Sequence, residues 1–215
     1  MLRHMEHTTT QTTYKIALLI KESSWDQKVI EEKYIKPLGL LGIPAKDIVT
    51  FNLKYDAKNK APAKLIKAYL DKLLTGLNNL KITTLLVADA PYFKVLTNVR
   101  KTDPHYGAVL PCKIESYEHM KCILSINYGA LFYNPKLQEM IDMSLNTLNN
   151  HLTGFHIKLG TGIIHTAKYP STEVAMQYEL NKLHAHSVLT CDIETFGLQL
   201  NTAGIGTIAF AWNQH

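Results

Sequence analysis

Cysteine is scarce in this chain. Three residues, Cys112, Cys122 and Cys191, lie far apart and are odd in number. No C-x-x-C pair occurs, which argues against a zinc ribbon or a disulfide framework and points to an intracellular, reducing setting. Long apolar runs are missing too. No stretch reaches the roughly 18 to 20 residues that a membrane span requires, so no membrane partner is expected. The start, MLRHMEHTTTQTTYK, is polar and Thr-rich and lacks the apolar segment of a signal peptide; residues 1–13 read as a disordered tail. Charge of one sign is only mildly in excess, with 23 Lys and Arg against 18 Asp and Glu. The resulting +5 is compatible with a nucleic-acid partner without arguing for one. Finally, no Asp or Glu follows Glu194.

What is present describes a globular protein of one domain, or of one and a fraction. Its 215 residues are 46% apolar and 19% charged. YKIALLI (14–20) is a short apolar run bounded by charge and predicts a buried strand. The following ESSWDQKVIEEKYIKPLG predicts a helix capped by Ser23 or Ser24 and ended by Pro37 and Gly39. DIVTFNL (47–53) predicts a second strand. APAKLIKAYLDKLLTGL predicts a helix with Leu65, Ala68, Tyr69, Lys72 and Leu73 at helical intervals and Gly76 as its stop. KITTLLVADA predicts a third strand, and PYFKVLTNV a short helix with Pro91 in its first turn. YGAVLPC and HMKCILSINYG read as two further strands. NPKLQEMIDMSLNTLNNHL reads as a helix with Pro135 early and Leu137, Met140, Ile141, Leu145 and Leu148 on one face.

This alternation predicts a three-layer α/β sandwich around a mainly parallel sheet, spanning residues 14–150. Residues 151–170, rich in Gly and His, read as a linker. A helix from Ser171 to about His184, with Glu173 in its first turn, opens a second unit, 171–215. Two strands follow, SVLTCDIETF and GIGTIAFAW. Two strands cannot form a stable sheet alone, so this unit reads as incomplete.

The second unit carries the sharpest chemical signal. In LTCDIETFGLQL, Asp192 and Glu194 stand two positions apart in a strand, so their side chains share a face. Their Cα atoms then lie roughly 7 Å apart. Hard divalent cations accept one or two such carboxylates together with substrate phosphate oxygens. Taken alone, D-x-E also describes a solvated strand edge. With its following turn and second strand, DIETFGL resembles the first motif of the DnaQ-like 3′–5′ exonucleases, over about residues 187–213. The resemblance implies an RNase H-like hairpin in which Asp192 and Glu194 are catalytic metal ligands for Mg²⁺ or Mn²⁺. It also implies that Thr195, Phe196 and Leu198 lie beside the bound 3′-terminal nucleotide. The family's remaining acids come later in the chain. Without them two carboxylates cannot hold both metals, so this segment by itself is expected to be inactive and to bind no ion tightly.

VADAPYFKVLTN (87–98) places an acid, a proline and two aromatics at a strand end, where ligand sites of open α/β sheets gather. It resembles the first motif of the uracil-DNA glycosylase fold, and LSINYGALFYNP (124–135) occupies the place of that family's His-Pro-Ser segment. The resemblance covers about 135 residues, but its motifs are degenerate. Pro91 and Tyr92 match, Ala90 stands in place of the water-activating Asp, Phe93 replaces a His, and Asn127 falls near the second motif's His. Asp89 comes one residue early, which in a strand turns it to the opposite face. A glycosylase needs a group to activate water and a donor for the departing base. Neither is present on this alignment, so the pocket reads as vestigial.

Other residues admit two readings each. Lys54, Lys58, Lys60, Lys64, Lys67 and Lys72, around Tyr55 and Tyr69, form either a solvated face or a track for a DNA backbone. Tyr92, Phe93, Tyr128, Phe132 and Tyr133 either plug the old pocket or stack on bases. His151, His156, His165, His184 and His186 form either a metal cluster or, since no H-x-x-x-H or carboxylate partner frames them, surface histidines, and the second is the expectation. LGTGI (159–163) lacks the phosphate-loop pattern.

A glycosylase-like domain before a DnaQ-like exonuclease resembles the amino-terminal portion of phage-type family A DNA polymerases. The resemblance implies DNA, the remainder of the polymerase in cis or in trans, and replication accessory proteins as partners. It implies the cytoplasm of an infected bacterium as location. The first domain would be a scaffold, a DNA contact or a docking surface. The alternative is a stand-alone polymerase accessory protein.

Overall fold

The computed structural model describes residues 3–8, 13–155, 168–196 and 204–211. The chain divides into two units, Met1–Leu159 and Gly160–His215.

The first unit is an α/β layer structure built on a six-stranded, mostly parallel sheet. In chain order its strands are β1 (His4–Glu6), β2 (Ile16–Lys21), β3 (Ile48–Leu53), β4 (Thr84–Ala88), β5 (Val109–Pro111) and β6 (Lys121–Leu124). Their spatial order is β1-β3-β2-β4-β6-β5. The four central strands are parallel, and the short edge strands β1 and β5 run antiparallel to their neighbours. Strand residues alternate between two cores, as a pleated strand buried on both faces requires. Ala17, Leu19, Leu85 and Val87 face one cluster, whereas Ile16, Leu18, Ile20, Leu86 and Ala88 face the other.

The first face is covered by α3 (Ala63–Asn79) and α4 (Ala90–Thr97). The second is covered by α5 (Gln138–Leu152) and by a helical run made of α1 (Gln27–Ile30), a π turn (Glu31–Ile35) and α2 (Lys36–Leu40). That run is capped by Asp26, whose Oδ1 accepts the Val29 N–H at 3.2 Å, and not by a serine. It also passes through Pro37. A helical proline lacks an N–H and crowds the carbonyl four residues back, and the widened π turn immediately before it accommodates both defects. The stop is Gly42, at φ 88°, with Ile43 N–H donating to Leu38 O (2.9 Å) and Gly42 N–H to Gly39 O (3.1 Å).

The buried face of α3 is Ile66, Leu70, Leu73, Leu74 and Leu77, so the expected stripe is displaced by one residue, leaving Ala68 and Lys72 exposed. Gly76 lies inside α3 because Leu77 still belongs to that face. Lys81, at φ 59°, closes the helix, with Ile82 N–H donating to Leu77 O (2.9 Å). Pro135 belongs to a separate 3₁₀ turn before α5, and the buried face of α5 includes Ser144 and Thr147 beside Ile141, Leu145 and Leu148.

Part of the segment expected to be a disordered tail is strand β1. His4 stacks on Phe51 with ring centroids 5.9 Å apart, Met5 packs on the second core, and Arg3 lies over Trp25 at 5.1 Å. His7 Nε2 bonds Thr50 Oγ1 at 2.8 Å, while its buried Nδ1 lies 3.9 Å from Glu31 of the π turn. Burial holds the His7 imidazole below its usual pKa, opposed by the Glu31 carboxylate.

The second unit comprises α6 (Glu173–Leu183), capped by Thr172, and an antiparallel hairpin of β7 (Thr190–Thr195) and β8 (Ile205–Ala211). Among its described residues none is buried. Within the span read as a linker, 151–152 belong to the end of α5, and 156–167 lie outside the described residues. His156, His165 and the LGTGI stretch fall in that gap, and Leu198 falls in another. All three cysteines are free, and no helix among the described residues is long and apolar enough to cross a membrane.

Candidate functional site

The strand order places β3 on one side of β2 and β4 on the other. The two connections leaving β2 and β4 therefore diverge at the carboxyl edge of the sheet, the position at which open α/β sheets form ligand crevices. The carboxyl end of β2 and the segments after β3, β4 and β6 bring Lys21, Tyr55, Asp89 and Asn127 to this edge.

Asp89 lies just beyond β4 and is 6% exposed. It is the N-cap of α4: Oδ1 accepts the Tyr92 N–H at 3.0 Å, and Oδ2 accepts the Tyr55 hydroxyl at 2.5 Å. The Lys21 ammonium sits 4.2 Å from the centre of the Tyr55 ring. Burial pushes the Asp89 carboxyl above its usual pKa, and the Tyr55 and Tyr92 hydrogen bonds and the Lys21 charge pull it back. Burial and the Asp89 contact both push the Tyr55 phenol upward. Asp89 thus continues the Leu85–Val87 face toward Tyr55 and Tyr92, with both carboxyl oxygens occupied.

The remaining pocket positions are filled or inert. Ala90 is a methyl at the helix start, and Pro91 is exposed in the first turn. Tyr92 is fully buried and donates to Lys54 O at 2.6 Å, with the Tyr69 ring edge-on to it at 6.1 Å. Tyr69 donates to Asn52 O, and burial pushes its phenol up to about 12. Phe93 is fully buried against His105, ring centroids 6.5 Å apart. Asn127 Oδ1 accepts from Ser24 Oγ at 2.8 Å and from Gly129 N–H at 2.9 Å. The Gly129 N–H requires an oxygen there, which fixes the amide orientation and leaves Nδ2 buried and unpaired. Ser24, read from the sequence as a helix cap, is turned inward to this amide. Tyr55, Lys21 and Ser24 carried no motif; only the sheet order brings them to Asp89 and Asn127.

On the hairpin, Asp192 pairs with Ala209 and Glu194 with Thr207, so both acids face one side opposite small residues. Both are exposed. The register breaks between Glu194 and Thr195, so Thr195 pairs with Ile205, and Phe196 N–H then donates to Gly204 O at 3.0 Å. A Cβ on Gly206 would stand 3.3 Å from both the Phe196 ring and the Glu194 carbonyl oxygen, so this glycine lets the ring approach β8 closely. The shift at Thr195 therefore follows the acid pair directly, and bulges of this kind re-aim side chains beside functional sites. Two hard oxygen donors on one face suit the protein's share of one divalent cation, the rest being water and phosphate. Among the described residues no group of three or more His, Cys, Asp or Glu is gathered for a metal ion. A second ion needs donors beyond this pair.

Neither the protein-family models nor the curated protein sequences give a match to this chain.

Proposed function

We propose that this chain is the amino-terminal segment of a phage-type family A DNA polymerase with a 3′–5′ proofreading exonuclease, acting in viral DNA replication in the cytoplasm of an infected bacterium. The observation that carries this reading is the Asp192–Glu194 pair on one face of β7, followed at once by a register shift and paired to a second strand. Asp192 and Glu194 would hold Mg²⁺ or Mn²⁺, with Thr195, Phe196 and Leu198 beside the 3′-terminal nucleotide. A metal held there would supply Lewis-acid activation of water and charge stabilisation at the leaving oxygen. The exposure of Ile193, Ile205 and Ile208 supports a hairpin that serves as one edge of a larger sheet.

The α/β unit is a non-catalytic module in this reading. Its support is the closed state of the sheet edge, where Tyr55 and Tyr92 occupy both oxygens of Asp89 and Ala90 offers no base. The test is the coding sequence immediately downstream of the His215 codon. Further exonuclease acids and a polymerase domain there, in frame or in a separate frame, support the reading. Their absence from the genome leaves an accessory protein in its place.

A further inference from the structure

One stretch of the α/β unit is strongly cationic and uncompensated. Between residues 54 and 64 stand Lys54, Lys58, Lys60 and Lys64 against a single acid, Asp56. Asp56 is committed to the backbone, its Oδ1 accepting the Lys58 N–H at 2.9 Å and the Lys60 N–H at 2.7 Å. All four lysines are exposed, and none forms an ion pair among the described residues. The stretch leaves the carboxyl end of β3 and enters α3.

At the same edge, the segment leaving β6 displays two neighbouring aromatics, Phe132 at 89% and Tyr133 at 93% exposure. They are not on a floppy loop. Tyr34 hydroxyl accepts the Tyr128 N–H at 2.9 Å, Asn127 and Asn134 side chains accept the Gly129 and Lys136 N–H groups, and Ala130 O accepts from both Tyr133 and Asn134. Tyr128 and Leu131 of the same turn pack on the core. The turn is anchored inward and presents its aromatic pair outward, an arrangement that the core does not need. Three strand spacings separate β3 from β6, about 14 Å. Between them the edge is near neutral, with Lys21 held over Tyr55 and Glu22 exposed.

Free lysines at one end of a rim and rigid, outward aromatics at the other are the two parts of a single-strand binding surface. Lysines neutralise phosphates, and unstacked bases stack on aromatic rings without regard to sequence. A duplex keeps its base faces covered and could use only the lysines. We propose that the carboxyl rim of the α/β unit binds single-stranded nucleic acid, with Lys54, Lys58, Lys60 and Lys64 on the backbone and Phe132 and Tyr133 stacked on bases. This deepens the reading above by naming what the non-catalytic unit holds, and it rests on that reading only for the presence of single strands near the chain.

The test is fluorescence anisotropy of the full chain with labelled oligothymidylate, in EDTA to exclude metal-dependent contacts, with a duplex of equal length alongside. With all four lysines engaged, affinity should fall about 50-fold between 50 and 200 mM salt. Phe132→Ala with Tyr133→Ala should weaken single-strand binding at least about fivefold. Both residues are exposed, so unchanged circular dichroism should accompany the loss. Lys54→Gln with Lys58→Gln and Lys60→Gln should flatten the salt dependence. No single-strand binding at low salt, tighter binding of the duplex, or binding indifferent to both variants overturns the proposal. The downstream coding sequence decides the polymerase reading separately, so either can fail while the other stands.

Discussion

Removing one hydroxyl, Tyr55→Phe, is the sharpest perturbation of the sheet edge. The phenol donates to Asp89 Oδ2 at 2.5 Å, while the ring keeps its place beneath Lys21 and beside Tyr92 at 6.2 Å between centroids. Phenylalanine preserves the ring packing and deletes only the donor. A hydrogen bond to a charged group contributes about 1.5–3 kcal/mol, and a buried carboxylate stripped of a donor bears the full loss. The α/β unit should therefore lose about 1.5–3 kcal/mol, or about 3–12 °C of Tm for a protein of this size. Urea unfolding followed by circular dichroism measures this, and a double-mutant cycle with Asp89→Asn isolates the pair. The pH dependence adds a second check. Burial raises the Asp89 pKa above its unfolded value. The folded state therefore binds more protons than the unfolded chain between those two values, and this group's contribution falls as pH rises through the folded pKa. Asp89→Asn, which can still cap α4, should consequently be less damaging at pH 7 than at pH 4. A Tyr55→Phe loss below about 0.5 kcal/mol, or a coupling near zero, would refute the account of this edge.

Three further outcomes follow from local geometry. The His7 pKa is held down by burial, so stability should be full above the unfolded histidine pKa and decline as pH falls through it toward the lower folded value. His7→Gln should remove that decline, read as unfolding free energy against pH. At Gly42, an added Cβ meets nothing within 4 Å, so Gly42→Ala should cost only the left-handed backbone penalty, about 1–2 kcal/mol, whereas Lys81→Gly should stabilise the equivalent turn after α3; chemical denaturation measures both.

Much of the fold was legible because strand residues buried on both faces form continuous apolar runs. YKIALLI, DIVTFNL and KITTLLVADA each contain a central strand. Strand β1 was not legible, since HME gains its place by pairing with Val49, Thr50 and Phe51 of β3 rather than from its own pattern. Helix ends were misread where a tertiary face overrode a local signal. Leu77 carried α3 past Gly76, and Leu38 carried the first helical run past Pro37. At the sheet edge, VADAPYF was legible as a strand running into a loop, but Asp89 turned out to be a helix cap facing Tyr55. Strand parity carries Asp89 onto the Leu85–Val87 face, but the cap on the Tyr92 N–H arises in the turn beyond the strand and Tyr55 comes from the segment after β3, and parity reports neither. The Asp192–Glu194 pair was legible as i and i+2, and the register shift after it was not, because it exists only in the pairing of Thr195 with Ile205 across the hairpin.

The most direct test of the central claim is a primer-excision assay on the proofreading polymerase that the proposal assigns to this chain, comparing wild type with an Asp192→Ala, Glu194→Ala double variant on a mispaired 3′ end in Mg²⁺. The account predicts that excision is abolished while primer extension from a matched end is retained. Undiminished excision by the double variant would contradict it.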